Sequence, residues 1–98
     1  MPIYNNDEIN KVAEICDLLG NKARLKMLCK LSEQIEATAG ELSDASGLTQ
    51  SAASQHITIL KNNDIIQPRR QHNILYYSLK DQKTKKLIEV IYRLYCGY

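Results

Sequence analysis

Three sets of side chains in this sequence could do chemistry. The first is Gln50, Ser51, Ser54, Gln55 and Thr58, which fall on one side of a helical repeat with no charge before Lys61. Hydroxyls and carboxamides both donate and accept hydrogen bonds, so such a face suits base edges and phosphate oxygens. A face that needs only solubility is usually served by Glu and Lys, which are missing here. The second set is Arg69 and Arg70, two fixed cations in the stretch Pro68-Arg69-Arg70-Gln71-His72-Asn73. The third is the thiols. Cys29 and Cys96 each follow a basic residue by three positions, Lys26 and Arg93. At that spacing the two side chains can share a helix face, and a nearby cation lowers a thiol pKa and raises the reactive thiolate fraction. The bland reading of each cysteine is small core filler. His56 and His72 are the two histidines, and both lie in segments already named. No acid, base and nucleophile set converges, so an enzyme is not expected. The cysteines also lack the paired C-x-x-C spacing of a zinc site, and neither metal nor cofactor is implied.

These groups need elements to hold them. Thr38 and Glu41 form a T-x-x-E capping box that starts a helix. Leu42 and Ala45 lie three apart on its inner face, and Leu48 follows. Gly47 can take the left-handed conformation that ends a helix, and Thr49 is a good N-cap for the next. That second helix buries Ala53, Ile57 and Leu60, spaced i, i+4, i+7. The polar set lies on its other side. The pattern predicts a helix-turn-helix whose second helix enters the DNA major groove; an ordinary helical hairpin in a small bundle is the competing reading. Ile65-Ile66-Gln67 then begins an extended segment, and Pro68 rules out helix there. Asn73 to Leu79, with its aromatic and β-branched character, reads as the returning strand. The tip Pro68–Asn73 makes this hairpin a wing, with Arg69 and Arg70 placed to touch phosphate or the minor groove. A solvated turn is the alternative for that tip.

The flanks follow the same logic. Met1–Asn6 reads as a short tail. A helix from about Asp7 to Leu19 carries the stripe Val12, Ile15, Leu19, with Cys16 beside Val12. Gly20 stops it, and Asn21 caps a second helix, Lys22 to Glu33, with Leu25, Leu28, Cys29 and Leu31 inward. Lys22, Lys26 and Lys30 make a basic stripe on another side, either a solvated face or a phosphate contact. Asp81 caps a last helix, Gln82 to Tyr95. Its two apolar rows, Leu87-Ile91-Leu94 and Ile88-Tyr92-Tyr95, form an arc too wide for one small core. The surplus predicts a homodimer face shared with the first helix, and a two-fold dimer reads an inverted repeat.

The chain has 98 residues and a formal net charge of +2. That length predicts a single domain, 1–98, of mainly α class with a small β-hairpin (α+β), burying only about two-thirds of its unfolded surface. The charge permits nucleic acid without demanding it. No run of 18 apolar residues and no basic-then-apolar leader is visible, so no membrane partner and a cytoplasmic location are expected. Three cysteines is an odd count, against a secreted disulfide framework. With no Trp or Phe, the six Tyr carry all aromatic packing.

With these elements placed, the whole chain resembles the ArsR family of winged-helix transcriptional repressors. The residues that carry the resemblance are Leu19-Gly20-Asn21-Lys22-Ala23-Arg24-Leu25, Glu41-Leu42, Leu48 through Ile57 with its run Gln50-Ser51-Ala52-Ala53-Ser54-Gln55-His56, and Tyr76-Tyr77-Ser78-Leu79. The resemblance implies that Gln50, Ser51, Ser54, Gln55 and His56 contact double-stranded DNA. Family members differ in their sensing sites. Metal sensors with ligands on the last helix use spaced Asp and His; this chain has Asp81 but no His after His72. Arsenic and cadmium types carry a cysteine motif beside the first helix of the helix-turn-helix, where this chain has Thr38-Ala39-Gly40-Glu41. Cys29 and Cys96 instead resemble the dithiol of the BigR, SqrR and HlyU subgroup, which responds to persulfide and other reactive sulfur. By that resemblance Cys29 and Cys96 are the redox-sensing pair, bridged by a disulfide or polysulfide with loss of DNA affinity. Cys16 stands outside the pair and is read as core or interface. The alternatives are a metal or metalloid sensor using Cys16, Cys29 or Cys96, and an effector-independent anti-repressor.

Overall fold

Asn5 accepts a hydrogen bond from the Glu8 backbone N–H at 2.8 Å, and its own N–H donates to Glu8 Oε2 at 3.3 Å. This capping box starts α1, Asn6–Leu19, one residue ahead of the sequence expectation. The computed structural model describes residues 5–97. Most of the expected tail, residues 1–4, therefore lies outside the described residues. Asn21 accepts from the Arg24 N–H at 3.0 Å and opens α2, Lys22–Glu33. A two-residue strand, β1 (Ala37–Thr38), leads into α3 (Ala39–Ser46) and α4 (Gln50–Asn62). The hairpin is β2 (Ile66–Gln71) with β3 (Ile74–Leu79), followed by α5, Gln82–Cys96. Asp81 caps α5 as expected, accepting from the Lys83 N–H at 3.0 Å and the Thr84 hydroxyl at 3.2 Å.

The sheet is antiparallel and has three strands in the order β1-β3-β2, where the sequence suggested a lone hairpin. β1 adds to the far side of β3, pairing Ala37 with Tyr77 and Thr38 with Tyr76. A strand of two residues leaves no periodicity to read. β2 is then an edge strand, and an edge strand tolerates Pro68, whose nitrogen has no hydrogen to offer the ladder.

The core gathers Leu18 and Leu19 of α1, Met27, Leu28 and Leu31 of α2, and Leu42 of α3. Ala53, Ile57 and Leu60 join it from α4, Ile65, Ile66 and Leu79 from the wing, and Ile88 from α5. Met27 and Leu18 were not in the expected stripes. Leu25 and Cys29, expected inward, are only partly buried. Val12, expected inward, is 53% exposed, and on α5 Leu94 and Tyr95 are 70% and 83% exposed. The chain is extended to match: its radius of gyration is 14.3 Å, against about 12.6 Å for a compact chain this long. Among the described residues no helix is long and apolar enough to cross a membrane.

Candidate nucleic-acid interface and dithiol

The helix-turn-helix is locked by local hydrogen bonds. Thr38 Oγ1 accepts from the Glu41 N–H at 3.2 Å while the Thr38 N–H donates to Glu41 Oε1 at 3.0 Å. Those contacts, the backbone N–H first and the Gln34 amide next, hold the Glu41 carboxyl below the usual carboxylate range. Gly47 takes φ +77° and donates to the Ser43 and Asp44 carbonyls. Two buried serines complete the turn. Ser46 Oγ donates to the Ser43 carbonyl at 2.7 Å and accepts from the Leu48 N–H at 3.1 Å. Ser43 Oγ donates to the Leu48 carbonyl at 3.0 Å. The sequence reading missed these serines; their only signal is an i, i+3 spacing just before the turn glycine.

On α4, Gln50, Ser51, Ser54, Gln55 and Thr58 are exposed together, opposite buried Ala53, Ile57 and Leu60. His56 differs. It is half-buried, with Nδ1 3.3 Å from Arg24 Nη1. The same guanidinium donates to the Leu18 carbonyl at 2.7 Å and the Asp17 carbonyl at 3.1 Å. Arg24 thus satisfies the open carbonyl end of α1, which has no basic residue of its own in its last turn. It also ties that end to the flank of α4.

The wing corrects the sequence reading. Arg69 and Arg70 are not at the tip. They lie inside β2, facing Tyr76 and Leu75 across the ladder. The tip is the two-residue turn His72-Asn73, with His72 at φ +56°. Successive side chains of a strand point to opposite faces, so the two arginines diverge. Arg69 lies over the Tyr76 ring, 5.0 Å from its centroid. It reaches Glu36 with two bonds, Nε to Oε2 at 2.7 Å and Nη2 to Oε1 at 2.8 Å, and donates to Gln71 Oε1 at 2.9 Å. That fork holds the Glu36 carboxyl below its usual range. Arg70 is exposed, and among the described residues it has no ion pair.

α2 also packs against α5. Cys29 and Cys96 are both free thiols, and both line one apolar cavity of about 150 Å³ with Leu25, Ile88, Ile91 and Tyr92. Tyr92 is hydrogen-bonded to Cys29, which pushes the phenol pKa well up. The expected activation of Cys29 by Lys26 is not what this environment does. Burial raises the Cys29 pKa, with Glu33 and Cys96 adding to it, and only the Tyr92 hydrogen bond opposes. Lys26 turns elsewhere: its Nζ comes within 3.9 Å of where a side chain on Gly47 would begin. Tyr92 was read from the sequence as packing alone. Cys16 is exposed rather than core, beside a groove of about 510 Å³ lined by Val12, Ile15 and Leu87 among others.

Residues 21–67 match the family described as bacterial regulatory protein, arsR family. The chain is 35% identical to the transcriptional activator HlyU of Vibrio cholerae over 86 residues, covering 88% of this chain and 79% of that protein. The solved structure of reduced HlyU from the same organism superimposes with a TM-score of 0.84 at 33% identity, covering 92% of this chain and 94% of that one. The transcriptional repressor BigR of Xylella fastidiosa superimposes with a TM-score of 0.83 at 30% identity, covering 92% of this chain and 91% of that one.

Proposed function

Since the chain belongs to the ArsR family of bacterial regulatory proteins, and is thereby a winged-helix transcriptional regulator that binds double-stranded DNA, we propose a sharper role. It acts as a homodimeric repressor whose hold on an inverted-repeat operator is switched by reactive sulfur at Cys29 and Cys96. The observation that carries this reading is the shared cavity. Two thiols 67 positions apart in sequence line one cavity at the α2–α5 contact.

Dimerisation is supported by the apolar surface left uncovered on α1 (Ile9, Val12) and α5 (Leu87, Val90, Leu94). A two-fold partner would cover it and set two α4 helices about one DNA turn apart. Gln50, Ser51, Ser54 and Gln55 are then the base-reading candidates. His56, braced by Arg24, serves orientation as much as contact. Arg70 supplies a phosphate contact from the wing, and Arg69 a conditional one.

The switch follows from what α2 touches. One face carries Cys29 against α5, the helix that would pair the protomers. Another carries Arg24, which holds His56 of α4. A covalent bridge from Cys29 to Cys96 would tie the dimer helix to the helix that braces the reader. It would bias the spacing of the two recognition helices. A coupling of about 1–3 kcal/mol changes affinity about 5–150-fold, enough to release an operator. That relative HlyU has a structure described as its reduced form is in keeping with thiol redox chemistry at this fold.

The test is peptide mapping by mass spectrometry of protein exposed separately to peroxide, sulfide and polysulfide, alongside operator binding. A Cys29–Cys96 link that forms with sulfane sulfur and weakens binding supports the switch. A response that survives Cys29→Ser refutes it. Stoichiometric zinc or arsenite bound by the reduced dimer with loss of DNA would replace it with a metal-sensing role.

A further inference from the structure

Cys29 borders two cavities. One is the pocket it shares with Cys96. The other, which shares Ile88 and Tyr92 with it, is a cleft of about 450 Å³ lined by Ser32, Glu33, Ile88, Glu89, Tyr92 and Arg93 as well as Cys29. The volume falls within the range of about 300–1,000 Å³ typical of small-molecule sites. Its lining has a definite chemistry: a thiol and apolar Ile88 at the base, two carboxylates and one guanidinium around the rim. Among the described residues Glu33, Glu89 and Arg93 form no ion pair. Ser32 Oγ, in the same lining, is buried with no hydrogen-bond partner. A buried hydroxyl left unpaired is uncommon. The cleft also lies on the flank of α5 that carries Glu89 and Arg93, away from the flank of Leu87, Val90 and Leu94 that a partner protomer would cover.

We propose that this cleft docks the carrier half of the sulfur donor, a small amino-acid thiol persulfide, with its ammonium between Glu33 and Glu89 and its carboxylate on Arg93. The proposal rests on the sulfur-switch reading and adds the recognition of the donor to it. The carrier R–S–SH would present its terminal, sulfane sulfur to Cys29. Transfer gives Cys29–S–SH and releases R–SH, with the thiol proton of Cys29 passing to the leaving thiolate. Cys96 then attacks the inner sulfur of Cys29–S–SH across the second cavity, forming the Cys29–Cys96 disulfide and releasing hydrogen sulfide. The sulfane sulfur is the oxidant and is reduced to sulfide, so no further oxidant is needed. The docked ammonium does a second job. Glu33 is one of the groups that disfavour the Cys29 thiolate, and a cation seated on it cancels that effect only when a donor is present.

Docking is read without any sulfur transfer by titrating the reduced protein with S-methylcysteine, which keeps the ammonium and carboxylate but cannot react, and following amide shifts by NMR. Shifts should centre on residues 29–33 and 89–93. N-acetyl-S-methylcysteine, lacking the ammonium, should bind about tenfold more weakly, as should S-methylcysteine to the Glu33→Gln/Glu89→Gln double variant, the scale of one good charge-assisted hydrogen bond. Equal affinity for the two probes, or a preference that survives the double substitution, overturns the proposal. A second measurement reads the initial rate of Cys29 modification. In the double variant, transfer from cysteine persulfide should slow, while transfer from inorganic tetrasulfide, an anion no longer repelled by two carboxylates, should speed up. Rates that move in the same direction also overturn it. If docking behaves as stated but bridging leaves operator binding intact, the switch has failed and the cleft has not.

Discussion

Removing the charge of Glu36 should tighten this protein on any duplex and steepen its salt dependence. Arg69 is held by Glu36 through two bonds of 2.7 and 2.8 Å and lies over Tyr76, so it carries little net charge toward DNA. Each phosphate neutralised contributes about 0.9 to the slope of log K against log salt, and raising salt from about 50 to about 200 mM then costs about 3.5-fold per contact. The proposed dimer would carry each contact twice. Arg70→Ala should therefore flatten the slope by about 1.8, making the loss over that salt range about 12-fold smaller than in wild type. Arg69→Ala should flatten it far less, because that charge is already spent on Glu36. Glu36→Gln frees Arg69 and should steepen the slope by about 1.8, and adding Arg69→Ala to it should return the slope to the wild-type value. Fluorescence anisotropy with a labelled duplex of arbitrary sequence suffices, since phosphate contacts carry no sequence information. If Arg69→Ala flattens the slope as much as Arg70→Ala and Glu36→Gln does nothing, the Glu36 pair opens freely on DNA and does not restrain the wing.

Four further outcomes are expected. Alkylation of Cys29 by iodoacetamide should lag that of the unfolded chain near neutral pH and climb only at a more alkaline pH than the unfolded thiol requires; Tyr92→Phe, which removes the hydrogen bond that lowers the Cys29 pKa, should shift the profile further alkaline. Because the folded pKa is raised, the stability this thiol contributes is present below the unfolded pKa and is lost as pH rises through the folded one, so urea midpoints of wild type should fall toward Cys29→Ser in that alkaline window. Gly47→Ala should destabilise by about 1–2 kcal/mol in urea unfolding, all of it backbone strain at φ +77°, since nothing but Lys26 Nζ at 3.9 Å meets the new methyl. Leu94→Glu, at a position 70% exposed in the protomer, should give a folded monomer by light scattering and circular dichroism with operator binding lost; a dimer that persists would move the interface off α5.

The fold was legible wherever its signal was local. Asn21, Thr38 with Glu41, Gly47, Thr49 and Asp81 each satisfy backbone groups within about four residues, and each helix boundary they implied lies within a residue of the observed one. The buried row of α4 was equally plain, because Ala53, Ile57 and Leu60 repeat at helical spacing on a background of short polar residues. What failed was distal. Glu36 pairs with Arg69 from 33 residues away, and β1 exists only because β3 offers it an edge. The hairpin was found with the end of its tip at Asn73, but the tip was begun four residues too early, at Pro68 instead of His72. Pro68 ended the strand in the reading, whereas an edge strand accommodates it.

The thiol site shows where a spacing rule stops. A residue three positions before a cysteine shares its helix face in sequence, yet Lys26 heads toward the α3–α4 turn while Cys29 turns to α5. The pairing with Cys96 came by family resemblance, and neither Tyr92 nor the acidic rim was visible without the α2–α5 contact. Their consequence runs against the simple picture of a cation-activated sensor. A thiol governed by burial and a neighbouring carboxylate is a poor general nucleophile, so it resists electrophiles that arrive without help. A donor that carries its own ammonium into the cleft would lift part of that restraint at the moment of reaction. Selectivity would then reside in Glu33, Glu89 and Arg93 rather than in the sulfur, and a cationic substitution at Glu33 should make Cys29 faster toward donors that carry no ammonium, and less discriminating at once.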